Sequence, residues 1–142
     1  MADIALFDPA AEGWARQKSG AYMNQIGPIW ARSDKGATGY GLLADQRHSN
    51  HRGIVHGGVI MGFADYALGM VAVEETGTYD QVTIQIDVQF IAAGMLGKFI
   101  TADTVLTRRT RSLFFCRGDI LCDGEIVATA NGIWKAVSPS KA

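Results

Sequence analysis

The sequence predicts an α+β domain in which a curved antiparallel sheet of about six strands wraps one long central helix. Three observations point to it. Residues 57–73 are apolar or small apart from a single charge, Asp65. Residues 82–90 alternate apolar and polar side chains over nine positions, the period-two pattern of a strand with one buried face. Asp123-Gly124 separates two further apolar runs, and that pair favours a hairpin because both residues tolerate positive φ. A helix apolar on every side must be covered on every side. A sheet curved around it, with a second copy of the chain over the remainder, is the simplest cover.

The elements follow in chain order. Asp8-Pro9 reads as a helix start, with aspartate as cap and proline in the first turn, and predicts a short N-terminal helix to about Lys18 that Gly20 stops. Two apolar runs, 26–32 and 38–43, flank the turn residues Asp34-Lys35-Gly36 and predict a hairpin. Residues 44–55 are polar and rich in turn formers, hence a loop. His56-Gly57-Gly58 opens the central helix, which ends near Glu74-Glu75-Thr76-Gly77. Strands follow at 82–90, 98–107, 113–121 and 126–137, and Ser138-Pro139-Ser140 is expected to fray. Gly62 and Gly69, seven residues apart, fall on one helix face and are expected to admit a close neighbour.

Composition narrows the function. The 142 residues suit one domain, 1–142. A formal net charge of −1 excludes a dominant nucleic-acid role, which needs a basic surface. Cys116 and Cys122 are too few for a disulfide framework and lack zinc-ligand spacing. Met1-Ala2-Asp3-Ile4 shows no signal-peptide pattern, so a reduced, cytoplasmic setting is expected. The segment 57–73 would be about 25 Å long as a helix, short of the ~30 Å hydrocarbon core. It also carries an aspartate near its middle, so no membrane association is expected. Trp14, Trp30 and Trp134 read as core or subunit-contact residues.

The chemistry concentrates around the start of the central helix. A carboxylate set among Phe63, Ala64, Tyr66, Ala67 and Leu68 is costly to bury without a partner. Such a desolvated group serves as a general base or a nucleophile; its structural alternative is a pair with an arginine or with loop amides. At His56-Gly57-Gly58 the first helix amides lack intrahelical acceptors, and glycine lets a substrate oxygen approach them, as an oxyanion hole requires. Gly57 and Asp65 are eight residues apart, about 12 Å along a helix. One carbonyl cannot meet both on the same chain, so two helices packed antiparallel about a twofold axis are expected to share two sites. His48, His51 and His56 lie in a loop that offers no convincing metal set, and no Ser-His-Asp triad with a nucleophile elbow is present.

Asn50, Gly53, His56-Gly57-Gly58 and Asp65, at these intervals, resemble the hotdog-fold acyl-CoA thioesterases of the phenylacetic-acid-degradation type. The likeness covers most of the chain. It implies the hotdog fold, assembly as a homodimer or dimer of dimers (a homotetramer), and hydrolysis of an acyl-CoA thioester with no cofactor beyond the coenzyme A of the substrate. Carried over by position, Asp65 is the catalytic carboxylate and the Gly57 amide polarises the carbonyl. Asn50 and His56 orient the carbonyl or the water, with His56 as loop brace the plainer role. Gly58 and Thr83 then contact substrate. Arg108, Arg109 and Arg111 join two predicted strands and offer charge-assisted bonds to coenzyme A phosphates; a solvated turn is the alternative. Two rival functions remain: hydration or dehydration of an acyl thioester by His56 and Asp65 on the same fold, and a non-catalytic acyl-CoA-binding module.

Overall fold

The computed structural model describes residues 7–34 and 37–139. Its N-terminal segment differs from the helix expected between residues 8 and 18. Only a 3-10 turn, Ala10–Glu12, forms, and Gly13 closes it with a left-handed φ of 86°. One turn does not repay helix nucleation, and the reversal swings Trp14 into the core. There the indole meets Phe99 edge-on at 4.9 Å, and the Arg32 guanidinium lies 4.6 Å above it. The chain continues as β1 (Ala15–Arg16), and the helix of this region is α1 (Ala21–Ile26), which Gly20 begins rather than ends.

β2 (Ile29–Asp34) and β3 (Ala37–Leu43) form the expected hairpin, with Asp34 opposite Ala37. Its turn residues Lys35 and Gly36 lie outside the described residues, as do Met1–Ile4 and Ser140. The long helix α2 runs Gly57–Thr76, and Gly77 caps its end at φ 75°. Four long strands follow: β4 (Gln81–Phe90), β5 (Phe99–Arg109), β6 (Leu113–Cys122) and β7 (Glu125–Ala136). Asp123 and Gly124 join β6 to β7 with φ values of 52° and 76°, the geometry that predicted a hairpin there.

All pairings are antiparallel, in one seven-stranded sheet of order β1-β2-β3-β5-β6-β7-β4. The chain therefore leaves β3 near the middle, crosses one face as α2, and returns along the far edge as β4. By length and composition α2 could cross a membrane, yet here the sheet wraps it. Ile60, Phe63, Ala64, Ala67 and Leu68, at helical spacing, are 0–3% exposed against the strands. Gly62 and Gly69, expected to admit a close neighbour on one face, each meet a different element of the same chain. A Cβ on Gly62 would lie 3.3 Å from Ile26 of α1, and one on Gly69 would lie 3.0 Å from Trp134 of β7.

β4 departs from simple alternation. The register with β7 jumps from Thr83–Trp134 to Gln85–Ile133, which leaves Ile84 as the extra residue of a bulge. One inserted residue reverses the phase of side chains on either side. Ile86 and Val88 pack on the core, whereas Val82 and Ile84, at 48% and 53% exposure, do not, and Thr83 turns toward α2 instead. Gly132 makes room for this. A Cβ there would lie 2.5 Å from the Gln85 carbonyl oxygen.

Two outcomes follow. Gly132→Ala should cost about 1–3 kcal/mol by overpacking, read as a lower urea midpoint at unchanged slope. Burial, with Glu75 nearby as a lesser cause, pushes the Cys116 thiol up to about 11. Native protein at pH 8 should thus leave Cys116 unmodified by Ellman's reagent, and denatured protein should expose it.

Candidate active site

The site begins in the loop before α2, where backbone groups are satisfied by loop side chains. Asp45 caps the 3-10 turn Gln46–His48 through its carboxylate, while its own N–H donates to His48 Nδ1 at 2.9 Å. His48 is 1% exposed, and its Nε2 faces the Ile26 carbonyl. With Nδ1 accepting, Nε2 must carry the proton and donate, so His48 is a structural pin. Asn50 Oδ1 accepts from the Arg52 and Ile54 amides at 2.8 and 3.3 Å. Gly53 takes a φ of 77° between them. The Val55 amide donates to Gly94 and that of His56 to His48, which anchors the loop at both sides.

His56 is the N-cap of α2, its Nδ1 accepting from the Gly58 amide at 2.8 Å. That bond commits the Gly58 N–H, which was expected to be open to substrate. The Val59 and Ile60 amides both donate to the His56 carbonyl. Among the described residues, the Gly57 N–H has no acceptor. It lies at the positive end of a 20-residue helix, in a pocket of about 410 Å³ lined by Asn50, Ile54, Ile60, Phe90 and the 91–94 segment. The Asn50 side-chain N–H₂ is likewise without a partner among the described residues. A Cβ on Gly57 would meet the Phe90 ring at 3.3 Å, so glycine and aromatic shape this corner together. The 91–94 wall escaped the sequence reading, and its one signal is the end of alternation at Phe90.

Asp65 is half-buried on α2 rather than enclosed by apolar neighbours. The Thr83 hydroxyl donates to its Oδ1 at 2.7 Å, and no cation lies within ion-pair distance of it among the described residues. The bond leaves Oδ2 open. The structure thus brings Thr83 to Asp65, and Asn50 to Gly57, but not the two pairs to each other. Asp65 does not line the Gly57 pocket. Phe63, beside it in sequence, is fully buried.

The arginines lie elsewhere. Arg108 and Arg109 belong to β5 rather than to the turn, and Arg109 contacts Glu75 at 3.4 Å while its guanidinium covers Phe114 at 5.2 Å. Glu75 is 18 residues beyond Gly57, about 27 Å along the helix. Arg108 and Arg111 are exposed, with no ion pair among the described residues. A concavity of about 550 Å³ lies at that end of α2, its lining holding Asp34, Glu74, Glu75 and Asp103 against one cation, Arg32; so acidic a wall disfavours a phosphate-bearing ligand. Burial and the Glu74 carboxylate hold the Tyr40 phenol far above its ordinary pKa, and it donates to Glu74 at 2.7 Å. No group of three metal-ligating side chains occurs among the described residues.

The arrangement offers a carbonyl-polarising amide at a helix start and a carboxylate with one free oxygen. Comparison with known proteins identifies the family. The thioesterase superfamily model matches residues 52–129, more than half of the chain, and the chain belongs to that superfamily. It is a thioester hydrolase on the hotdog fold. A Pseudomonas aeruginosa protein named "Putative esterase PA0474" is 24% identical over 119 residues, which are 82% of this chain and 89% of that one. A mutant of the phenylacetic acid degradation protein PaaI from Thermus thermophilus superposes with a TM-score of 0.73 at 18% identity, covering 83% of this chain and all of that one. A hypothetical thioesterase from Streptococcus pneumoniae, solved with coenzyme A, gives 0.66 at 24% identity, covering 71% and 81%.

His56→Ala should remove the cap of α2 and cost about 1 kcal/mol, measured by equilibrium denaturation.

Proposed function

We propose that this protein hydrolyses acyl-CoA thioesters at two sites, each assembled from both chains of a homodimer. The carrying observation is the unused Gly57 N–H in its pocket, on the same helix as Asp65 but about 12 Å from it. Two α2 helices packed antiparallel place Gly57 of one chain opposite the partner's Asp65. The surface for such packing exists. β4 is an edge strand with Val82 and Ile84 exposed, and α2 leaves Gly58, Met61 and Asp65 uncovered or half-covered. The coenzyme A bound by the Streptococcus pneumoniae relative supports the substrate class.

In this reading the thioester carbonyl accepts from the Gly57 amide, with the Asn50 side-chain N–H₂ beside it. A donor of this kind contributes ~3–4 kcal/mol as charge builds on the oxygen. Thr83 holds Oδ1 of Asp65, so Oδ2 is free to take a proton from the attacking water or to attack the carbonyl itself. The departing thiolate needs no strong acid. His56 positions Gly57 by capping the helix, and Gly58 serves that cap. With residue numbers summing to 122 at one level of the helix pair, Glu75 of the partner subunit lies about 15 Å along the axis beyond the level of Gly57. Arg108 and Arg111 of that partner then stand toward the phosphate end of the coenzyme, while Arg109 braces its own helix.

A hydratase or dehydratase would need His56 and Asp65 to meet as acid and base. In a shared site the partner's Asp65 would approach His56 as well as Gly57, so what separates the two readings is that the His56 Nδ1 is already the cap acceptor. Saturated acyl-CoA, which can be hydrolysed but not dehydrated, is therefore the diagnostic substrate.

Asp65→Asn should lower thiol release from saturated acyl-CoA by at least about 100-fold, with binding retained; undiminished turnover would refute the assignment. Gly57→Pro removes the amide proton at a position where proline suits a helix. His56 already has the extended φ −62°, ψ 135° that proline requires of its predecessor. Turnover should fall about 100–1,000-fold. Mixing the two inactive variants after subunit exchange should restore activity, because a heterodimer keeps one intact Gly57–Asp65 site; two same-chain sites would remain dead. Thr83→Val should lower kcat by about 10–100-fold.

A further inference from the structure

We infer that the dimer twofold axis passes beside Met61, where the two Met61 side chains meet as a common inner wall of both acyl pockets. This rests on the shared-site reading. On antiparallel helices that set Gly57 against Asp65, only one position lies opposite itself, midway between them, and that position is 61. A shift of one residue is about 1.5 Å, so Met61 stays at the axis even if the substrate displaces the two groups slightly.

The side chains fit this placement. Gly58, Met61 and Asp65 follow one another at helical spacing of three and four, on the face of α2 that the sheet does not cover. Met61 is 39% exposed, whereas Ile60 and Phe63, turned away from it around the helix, are 0–3% exposed, and the open stretch ends before Leu68, two turns further along the same face, which is buried. Its neighbour on the open side is Gly58, and Gly62 beside it is taken up by α1, so Met61 is the bulky group between the two sites. Tyr22 of α1, itself 63% exposed, lies over Gly62 and walls one flank. A contact across a twofold axis is isologous, each residue meeting its own copy, and an unbranched thioether adapts to that self-contact. Each carbonyl lies four residues, about 6 Å, from the axis. An acyl chain running inward from it reaches Met61 within a few carbons, and the pocket suits short or compact acyl groups.

Two measurements test the inference. Met61→Cys, mildly oxidised, should run as a covalent dimer on a non-reducing denaturing gel, because a disulfide needs Cα atoms within ~7 Å. Wild type, whose Cys116 and Cys122 are buried, should not, nor should Tyr79→Cys, whose native side chain is 76% exposed but far from the axis level. Met61→Ala should raise kcat/KM for dodecanoyl-CoA relative to butanoyl-CoA by about tenfold, and Met61→Trp should lower it by as much. If Met61→Cys elutes as a dimer, hydrolyses acyl-CoA and yet does not cross-link, the axis is elsewhere and the shared-site reading survives. Cross-linking with an unchanged chain-length profile overturns the wall. An active wild-type monomer overturns both readings.

Discussion

A helix is a rigid ruler, and here both groups of the proposed site are marked on the same one. α2 carries the open Gly57 amide at its first position and the Asp65 carboxylate just over two turns later. The backbone ladder keeps them about 12 Å apart whatever the surroundings do. A thioester carbonyl needs donor and attacking group within about 3 Å each. The sheet that curls around α2 buries most of it and leaves Met61 exposed and Asp65 half-buried. In the proposed dimer, catalytic need and packing need would point to the same face.

The second constraint is the phase of β4. With regular alternation, Val82 and Ile84 would share a face with Ile86 and Val88, and Thr83 would turn away from the helix. The bulge at Ile84 reverses that order, and the Thr83 hydroxyl reaches Asp65. The cost is two large apolar side chains left exposed on an edge strand, an arrangement that invites pairing with another chain. Gly132 on the neighbouring strand is the concession that lets the bulged backbone come close.

The loop ahead of α2 shows how polar side chains that satisfy the backbone also fix where the open Gly57 amide lies. His48 and Asp45 pin the loop to the end of α1, Asn50 folds it over its own amides, and His56 caps the helix. Three histidines in nine residues invite a metal reading. Instead, both ring nitrogens of His48 and one of His56 are engaged with the backbone. The capping bond removes Gly58 from the set of available donors and leaves Gly57.

Local pattern was enough to specify the α+β class, the hairpin at Asp123-Gly124, the bounds of α2 and the pairing of β2 with β3. Each is decided by short-range rules: helix caps, period-two alternation and turn residues with positive φ. The spacing of Gly57 and Asp65 was legible too, since a rise per residue is a constant. Tertiary structure alone decided the rest. Gly13 and the burial of Trp14 replaced the expected first helix with a single turn. The bulge re-aimed Thr83, and α1 and Trp134 proved to be the close neighbours that the two glycines admit. Those outcomes depend on which distant side chains compete for the same space, and nothing in a linear pattern carries that information.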